Sequence, residues 1–440
     1  MLFRLAAILT TSVAIVTGAL VMPTNSPAAA ASAPSPRSVI PSPYIGPEPG
    51  ASADLQGSRL LQELSLLSVP RIDEFLTANP GAVDNLIEQP PPAQDVSLWW
   101  NAMDFDHRSA VVGASPQLVG NLEGVPYPTR DLANRALLAD TIFDLNALIA
   151  NPDVGRTAVD AARRQLVMLD SISSALVNPA RSLNRTLLSL DVNGQGRAAI
   201  VIGDLHTADY VSYLVPGMFF TIENQMVDWT KAAEDLYSEQ LTWLARLGET
   251  NAKVATVAWI GYPTPNLTNV GGIGNAEIGR DTLARAIEGI QTLRGKDQPY
   301  LSVIAHSYGS TAALLALTEY DFEIDALAMV GSPGSPARSV DELHVRDGNV
   351  WVGEAPWDPI PNSAYFGSDP GSPDYGAHAM SVSGGADPVT KRALLGSSGH
   401  NEYFTYGTES MRNFALIAIG RSGLVTTPDA PAVVTAEASH

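Results

Sequence analysis

The segment Ala305-His306-Ser307-Tyr308-Gly309 sets a serine between small residues, after the apolar run YLSVI and before GSTAALLALTEY, a stretch rich in small and helix-forming residues. A serine on a sharp turn between a strand and a helix has its hydroxyl forced outward, and small neighbours are required because the chain is strained and crowded there. Ala305 stands where glycine is usual, which adds one methyl at a tolerant position. A serine hydroxyl is a weak nucleophile at neutral pH unless an imidazole takes its proton and a carboxylate fixes the imidazole tautomer. Such a set suits acyl transfer through a covalent intermediate on Ser307. The alternative is a tight turn that carries a buried structural serine.

The acid and the base are expected in that order downstream, the acid on a loop after a later strand and the base on a last loop. Asp358 directly follows NVWVGEAPW, where a loop leaving a strand should begin; Glu354 and Asp347 flank the same strand and are the alternatives. For the base, His344 precedes the acid and His440 ends the chain, whereas His400 lies in the Gly/Ser loop of LLGSSGHNEYF just before TESMRNFALIAIG, a helical pattern. His378, in a Gly- and Pro-rich loop, is the runner-up. His306 adjoins the nucleophile, but neighbours on a sharp turn point apart, so it is not read as the base. A tetrahedral intermediate needs two backbone N–H donors: Tyr308, after the nucleophile, is one, and Met218, after the Gly217 turn that ends LVPG, is the other.

Two further clusters are weighed and set aside. Asp204, His206 and Asp209 in GDLHTADY match no zinc or calcium spacing, so a polar turn between strands is expected, with no metal and no cofactor. Trp99-Trp100 could line a cleft, but buried indoles anchoring a helix are the commoner arrangement.

The elements that must position these residues divide the chain. Residues 54–183 carry helical periodicity in GSRLLQELSLL, RDLANRALLADTIFDLNALIA and TAVDAARRQLVMLDSISSALV, punctuated by prolines. From residue 184 to 422 the character changes. TLLSLDV and RAAIVIGD flank Asn193-Gly194-Gln195-Gly196 as a hairpin, after which apolar strands alternate with amphipathic helices. That alternation predicts an α/β fold, a mainly parallel sheet covered by helices on both faces. Residues 34–53 are a Pro-rich linker and 423–440 a loose tail without amphipathic period.

At 440 residues with 45% hydrophobic and 16% charged residues, the chain has ample material for a core. A net charge of -20 speaks against holding nucleic acid or an anionic bilayer by charge. The absence of cysteine excludes disulfides, a thiol nucleophile and thiolate metal sites. Arg4, the apolar run Leu5 to Met22 and the small residues Ala28 to Ala33 read as a signal peptide over residues 1–33, hence a secreted protein. Since the run just reaches spanning length, an uncleaved anchor retaining the protein at the cell envelope is the alternative.

Taken jointly, SLWWNAMDFDHRSAVVGASPQLVGNLEGVPYPTRDLANRALL, GDLHTADYVSYLVPGM, ATVAWIGYPTP, VIAHSYGS, MVGSPG, WDPI and GHNEYF resemble the actinobacterial α/β-hydrolases long catalogued as a domain of unknown function, over roughly Val96 to Ile419. The resemblance implies the α/β-hydrolase fold with a helical N-terminal segment. It supports Ser307, Asp358 and His400 by motif, and it marks Trp99, Trp100, Gly120, Pro126, Arg130, Asp131 and Asn134 as a signature without assigning them roles. The chain departs from the family pattern at Leu205-His206 and at the phenylalanine pair after Met218. The expectation is a secreted serine esterase acting on a small-molecule or lipid ester, with the N-terminal helices as a possible lid. An acyltransferase or amidase using the same triad, or a non-catalytic envelope-binding protein on this fold, are the competing functions.

Overall fold

The computed structural model describes residues 56–177, 184–361 and 363–428. The expected signal peptide and linker lie outside them, as does the tail beyond residue 428. Among the described residues no helix is long and apolar enough to cross a membrane.

Among the described residues eight helices come first: α1 (Gly57–Leu66), α2 (Val69–Ala78), α3 (Pro80–Glu88), α4 (Ala93–Ala102), α5 (Phe105–Ala114), α6 (Pro116–Asn121), α7 (Tyr127–Ala150) and α8 (Arg156–Leu176). Pro80 and Pro116 each open a helix, the position at which a missing N–H costs nothing. Strands then alternate with helices: β1 (Arg185–Asp191), β2 (Arg197–Gly203), β3 (Tyr210–Val215), α9 (Ile222–Arg246), β4 (Val254–Ile260), α10 (Gly274–Arg294), β5 (Tyr300–His306), α11 (Tyr308–Glu319), β6 (Ala326–Val330), β7 (Val350–Gly353), β8 (His378–Ala379) and, near the end, α12 (Glu409–Ala418). The sheet order is β1-β2-β4-β3-β5-β6-β7-β8. β1 and β2 form the expected antiparallel hairpin, β2 runs antiparallel to β4, and every pairing from β4 to β8 is parallel. Every residue of β4 and β6 is buried, as strands covered on both faces must be. α10 and α11 pack one face; α8, α9 and α12 pack the other.

The boundary drawn at residue 184 does not separate two bodies. α7 contributes Tyr127 to the core on one face and Leu138 to the core on the other, where Met168, Leu169 and Ile172 of α8 also lie. Only the helices before α7 build a core chiefly of their own, with Trp99 and Trp100 buried in it, as an anchored helix requires.

The signature residues acquire a structural role at β1, the exposed end of the sheet. The Leu187 N–H donates to Asp131 Oδ1 at 2.6 Å, and Asn134 Nδ2 donates to the Leu187 carbonyl at 3.0 Å. Asn121 takes the Leu190 N–H at 3.1 Å and gives to its carbonyl at 2.8 Å. Two side-chain amides and a carboxylate thus stand in for a missing neighbour strand and blunt an edge that would otherwise template pairing. Buried Arg130 ties the α6–α7 connection together by donating to the Gly120 carbonyl and pairing with Glu123.

The loose tail begins later than its composition suggests. Thr426 is buried, its N–H donates to Asn413 Oδ1 at 3.2 Å, and its carbonyl accepts from Ser381 at 2.7 Å. A small polar residue satisfied by neighbours needs no amphipathic period to be ordered.

Candidate active site

β5, central in the sheet, ends at His306, and α11 starts at Tyr308. Between them Ser307 has φ 54° and ψ -130°, a conformation that L-residues rarely adopt. It is held by its own N–H donating to the Val330 carbonyl at 2.9 Å and by Ser310 Oγ donating to the Ser307 carbonyl at 2.6 Å. Gly309 is forced by crowding, since a Cβ there would lie 2.3 Å from the Pro216 carbonyl oxygen. At the first small position Ala305 is fully buried between β3 and β6, in register with Val215 and Met329, so its methyl is accommodated.

The structure brings Ser307, His400 and Asp358 together. His400 Nε2 is 2.8 Å from Ser307 Oγ, and His400 Nδ1 is 2.8 and 2.9 Å from the two Asp358 oxygens. Asp358 sits on the loop beyond β7, its side chain inaccessible to solvent, while the His400 side chain is partly open. Burial pushes the Asp358 carboxyl up, but the hydrogen bond and charge of His400, the Tyr403 hydroxyl and the Ile360 N–H together hold it below the ordinary 3.8. An ionised Asp358 accepting from Nδ1–H leaves Nε2 free to take the serine proton.

The alternatives are placed elsewhere. Asp347 lies in the turn before β7, at the opposite end of that strand from Asp358. His378 is exposed on β8 and packs against Trp351 at 4.8 Å, and His344 faces the Tyr320 carbonyl. His440 lies outside the described residues. Asp204 caps its own turn by accepting from the His206 N–H, and Asp209 accepts from the Lys253 N–H, as polar turn residues do.

Of the two expected oxyanion donors, the Tyr308 N–H opens α11 and so has no intrahelical acceptor. The Tyr308 ring is fixed by its hydroxyl, which donates to the Gly272 carbonyl at 2.7 Å and accepts from the Ala276 N–H at 3.0 Å. Met218 follows β3, and among the described residues its N–H donates to no backbone carbonyl. The next residue, Phe219, has φ 64° and donates to the Pro265 carbonyl at 3.0 Å, which turns the chain sharply near Ser307.

Several supporting groups carry no sequence signal of their own. Gly331 follows β6, and a Cβ there would lie 2.8 Å from both Asp358 Oδ2 and His400 Cε1. Tyr403 Oη donates to Asp358 Oδ2 at 2.7 Å. Glu402 accepts from the Ser398 N–H and hydroxyl, closing the loop that carries His400. His306 Nε2 lies 2.7 Å from the His400 carbonyl oxygen. The H-x-x-Y-F spacing contained Tyr403, but only the fold shows what its hydroxyl reaches.

This architecture is that of an α/β hydrolase, and residues 191–368 match a family described as "Alpha/beta hydrolase". The chain is 28% identical over 382 residues to an uncharacterized protein of Mycobacterium tuberculosis, found in strains CDC 1551 and H37Rv, with 76% of this chain covered. It spans 57% of the length of those relatives. These matches fit an α/β-hydrolase family of unknown function in actinobacteria. Solved structures with some likeness include an esterase from Pyrobaculum calidifontis (13% identity, TM-score 0.34, 64% of this chain and 97% of that chain). An S-formylglutathione hydrolase from Agrobacterium tumefaciens is another (15% identity, TM-score 0.34, 56% of this chain and 98% of that chain).

Proposed function

We propose that the protein is a secreted serine esterase that hydrolyses carboxylic esters through an acyl-enzyme on Ser307. The observation that carries this reading is the unbroken line of hydrogen bonds from Ser307 Oγ through His400 to Asp358 at a strained strand-to-helix turn.

In the first half-reaction Ser307 Oγ attacks the ester carbonyl carbon while its proton passes to His400 Nε2. The carbonyl π pair moves to oxygen, where the N–H groups of Tyr308 and Met218 receive the charge. Collapse of this intermediate breaks the bond to the leaving oxygen, which takes the proton from His400 and departs as an alcohol. In the second half-reaction water attacks the acyl carbon, its proton going to His400 Nε2. Collapse then returns that proton to Ser307 Oγ and releases the carboxylic acid. Asp358 stays ionised throughout and stabilises the imidazolium.

Support for an apolar substrate comes from the rim. Phe219 after β3, Leu267 after β4, and Trp357 and Tyr365 after β7 are 47%, 70%, 83% and 63% exposed, on loops that leave the C-terminal ends of parallel strands on either side of β5. Large exposed apolar side chains gathered at a site mouth suit an apolar acyl or alcohol group. Export, directed by residues 1–33, is part of the proposal, as is retention at the cell envelope if that segment stays attached.

The reading is tested by intact-mass spectrometry of the wild type and Ser307→Ala after exposure to a fluorophosphonate, with turnover of p-nitrophenyl esters of graded chain length. A single adduct lost in the variant, and turnover that depends on chain length, are expected. A folded wild type with neither adduct nor turnover would leave the non-catalytic envelope protein as the better reading.

A further inference from the structure

His306 closes β5 directly before Ser307, and its ring lies among Phe220, Tyr403 and Phe404 at ring distances of 6.0–6.1 Å. It is 3% exposed. A carbonyl oxygen only accepts, so the 2.7 Å contact with the His400 main chain fixes the hydrogen on His306 Nε2 and leaves Nδ1 bare. That Nδ1 is buried and has no hydrogen-bond partner. Burial, and then the neighbouring His400, lower the His306 pKa to about 3, so the ring stays neutral beside an imidazole that must itself become charged. The two rings stand 4.7 Å apart.

A buried nitrogen without a partner is costly, and an apolar side chain at position 306 would avoid that cost. What an apolar side chain would not supply is the donor to the His400 carbonyl. The loop around His400 has no regular structure of its own and is clipped at its start by Glu402 and by the Trp357 N–H donating to the Ser398 carbonyl. The contact from His306 is the hold on the main chain of His400 itself.

We propose that His306 is a positioning residue for the general base: its Nε2–H fixes the His400 backbone so that His400 Nε2 stays within hydrogen-bond reach of Ser307 Oγ. This rests on the esterase reading above. The serine and its base are thereby both registered to β5, one through the chain turn and the other through the side chain preceding it, and a change at residue 306 acts on the reaction without touching the substrate.

The full chain serves for the test, with His306→Phe, which keeps a ring but loses the donor, and His306→Gln, whose amide nitrogen sits near the place of Nε2. The rate of Ser307 labelling by a fluorophosphonate is measured beside kcat and KM for p-nitrophenyl butyrate and the melting temperature. His306→Phe is expected to lower kcat and the labelling rate about tenfold or more with KM changed less than about twofold, because a small misplacement of a catalytic group is felt in the rate. His306→Gln recovers most of both rates. Wild-type rates in His306→Phe, or no recovery in His306→Gln, overturn the proposal. If His306→Phe does not fold, His306→Asn, whose amide is too short to reach the carbonyl, takes its place with the same expected loss. Failure of the wild type to label at Ser307 removes the esterase reading and this proposal together, whereas labelling of wild type and variant at equal rates removes only the role of His306.

Discussion

The hydroxyl of Tyr403 bridges Asp358 to the backbone just beyond β7, donating to Asp358 Oδ2 at 2.7 Å while accepting from the Ala355 N–H at 2.8 Å. Tyr403 is wholly buried. Asp358 therefore has its two oxygens occupied by His400, Tyr403 and the Ile360 N–H, and its orientation does not depend on His400 alone.

Removing that bridge is expected to weaken the site without emptying it. Tyr403→Phe deletes a hydrogen bond to a charged group, worth about 1.5–3 kcal/mol, so kcat should fall about tenfold to a hundredfold with KM little changed. The variant also alters acid stability. A carboxylate held below its usual range stabilises the fold above that range and loses the contribution as pH falls through its folded value. With one stabilising donor gone the folded value rises toward the unfolded one, and the loss of stability in acid becomes shallower. Urea unfolding of wild type and variant between neutral and acid pH checks the sign; an equal acid slope in both would contradict it.

Gly331 tests how tightly the acid and base are packed. Gly331→Ala places a Cβ 2.8 Å from Asp358 Oδ2 and from His400 Cε1, at a φ of 59°. Ser307 reactivity toward a fluorophosphonate should drop about a hundredfold. The matched control is Gly295→Ala after α10, where φ is 56° and nothing lies within 4 Å of the new atom. That variant carries backbone strain alone, at φ 56° and ψ -108°, about 1–3 kcal/mol, and should keep its reactivity. Similar rates in both variants would show that strain, not crowding, decides the outcome at position 331.

The clasp on β1 is a matter of stability. Asn134→Ala strips the side-chain donor from the Leu187 carbonyl and one of two donors, the other being Arg130, from the Gly120 carbonyl in a fully buried place, and a loss of about 1–3 kcal/mol is expected from denaturant unfolding. The labelling rate of the folded variant at Ser307 should match the wild type. A stability change below about 0.5 kcal/mol, the size of an ordinary surface substitution, would mean that water replaces the amide freely.

The meeting of residues set by order and spacing was legible in the sequence, and contacts set by three-dimensional reach were not. Ser307 is announced by a strand, a turn and a helix in succession, and Asp358 and His400 by their places after a strand and before a helix. Tyr403, His306 and Gly331 fall inside GHNEYF, VIAHSYGS and MVGSPG, but they act through contacts with residues 45, 94 and, for Gly331, 27 and 69 positions away, and no local pattern shows what they reach. The parallel sheet was readable because unbroken apolar runs have few other uses. The division at residue 184 was misleading because helical periodicity reports a buried stripe without reporting what covers it: the stripe of α7 is covered by the sheet, that of α4 by other helices. No metric of composition could foresee that Thr426 is clasped by Asn413.

The clasp of Asn121, Asp131 and Asn134 on β1 also bears on how the molecule can be cut. A fragment beginning at residue 184 keeps Ser307, Asp358 and His400 yet loses every side chain that closes the sheet on that side. Its first strand would offer a bare ladder of donors and acceptors to the same strand of another copy, and the fragment would polymerise edge to edge before its chemistry could be assayed. The helices ahead of the sheet are in this sense a built-in terminator of strand addition.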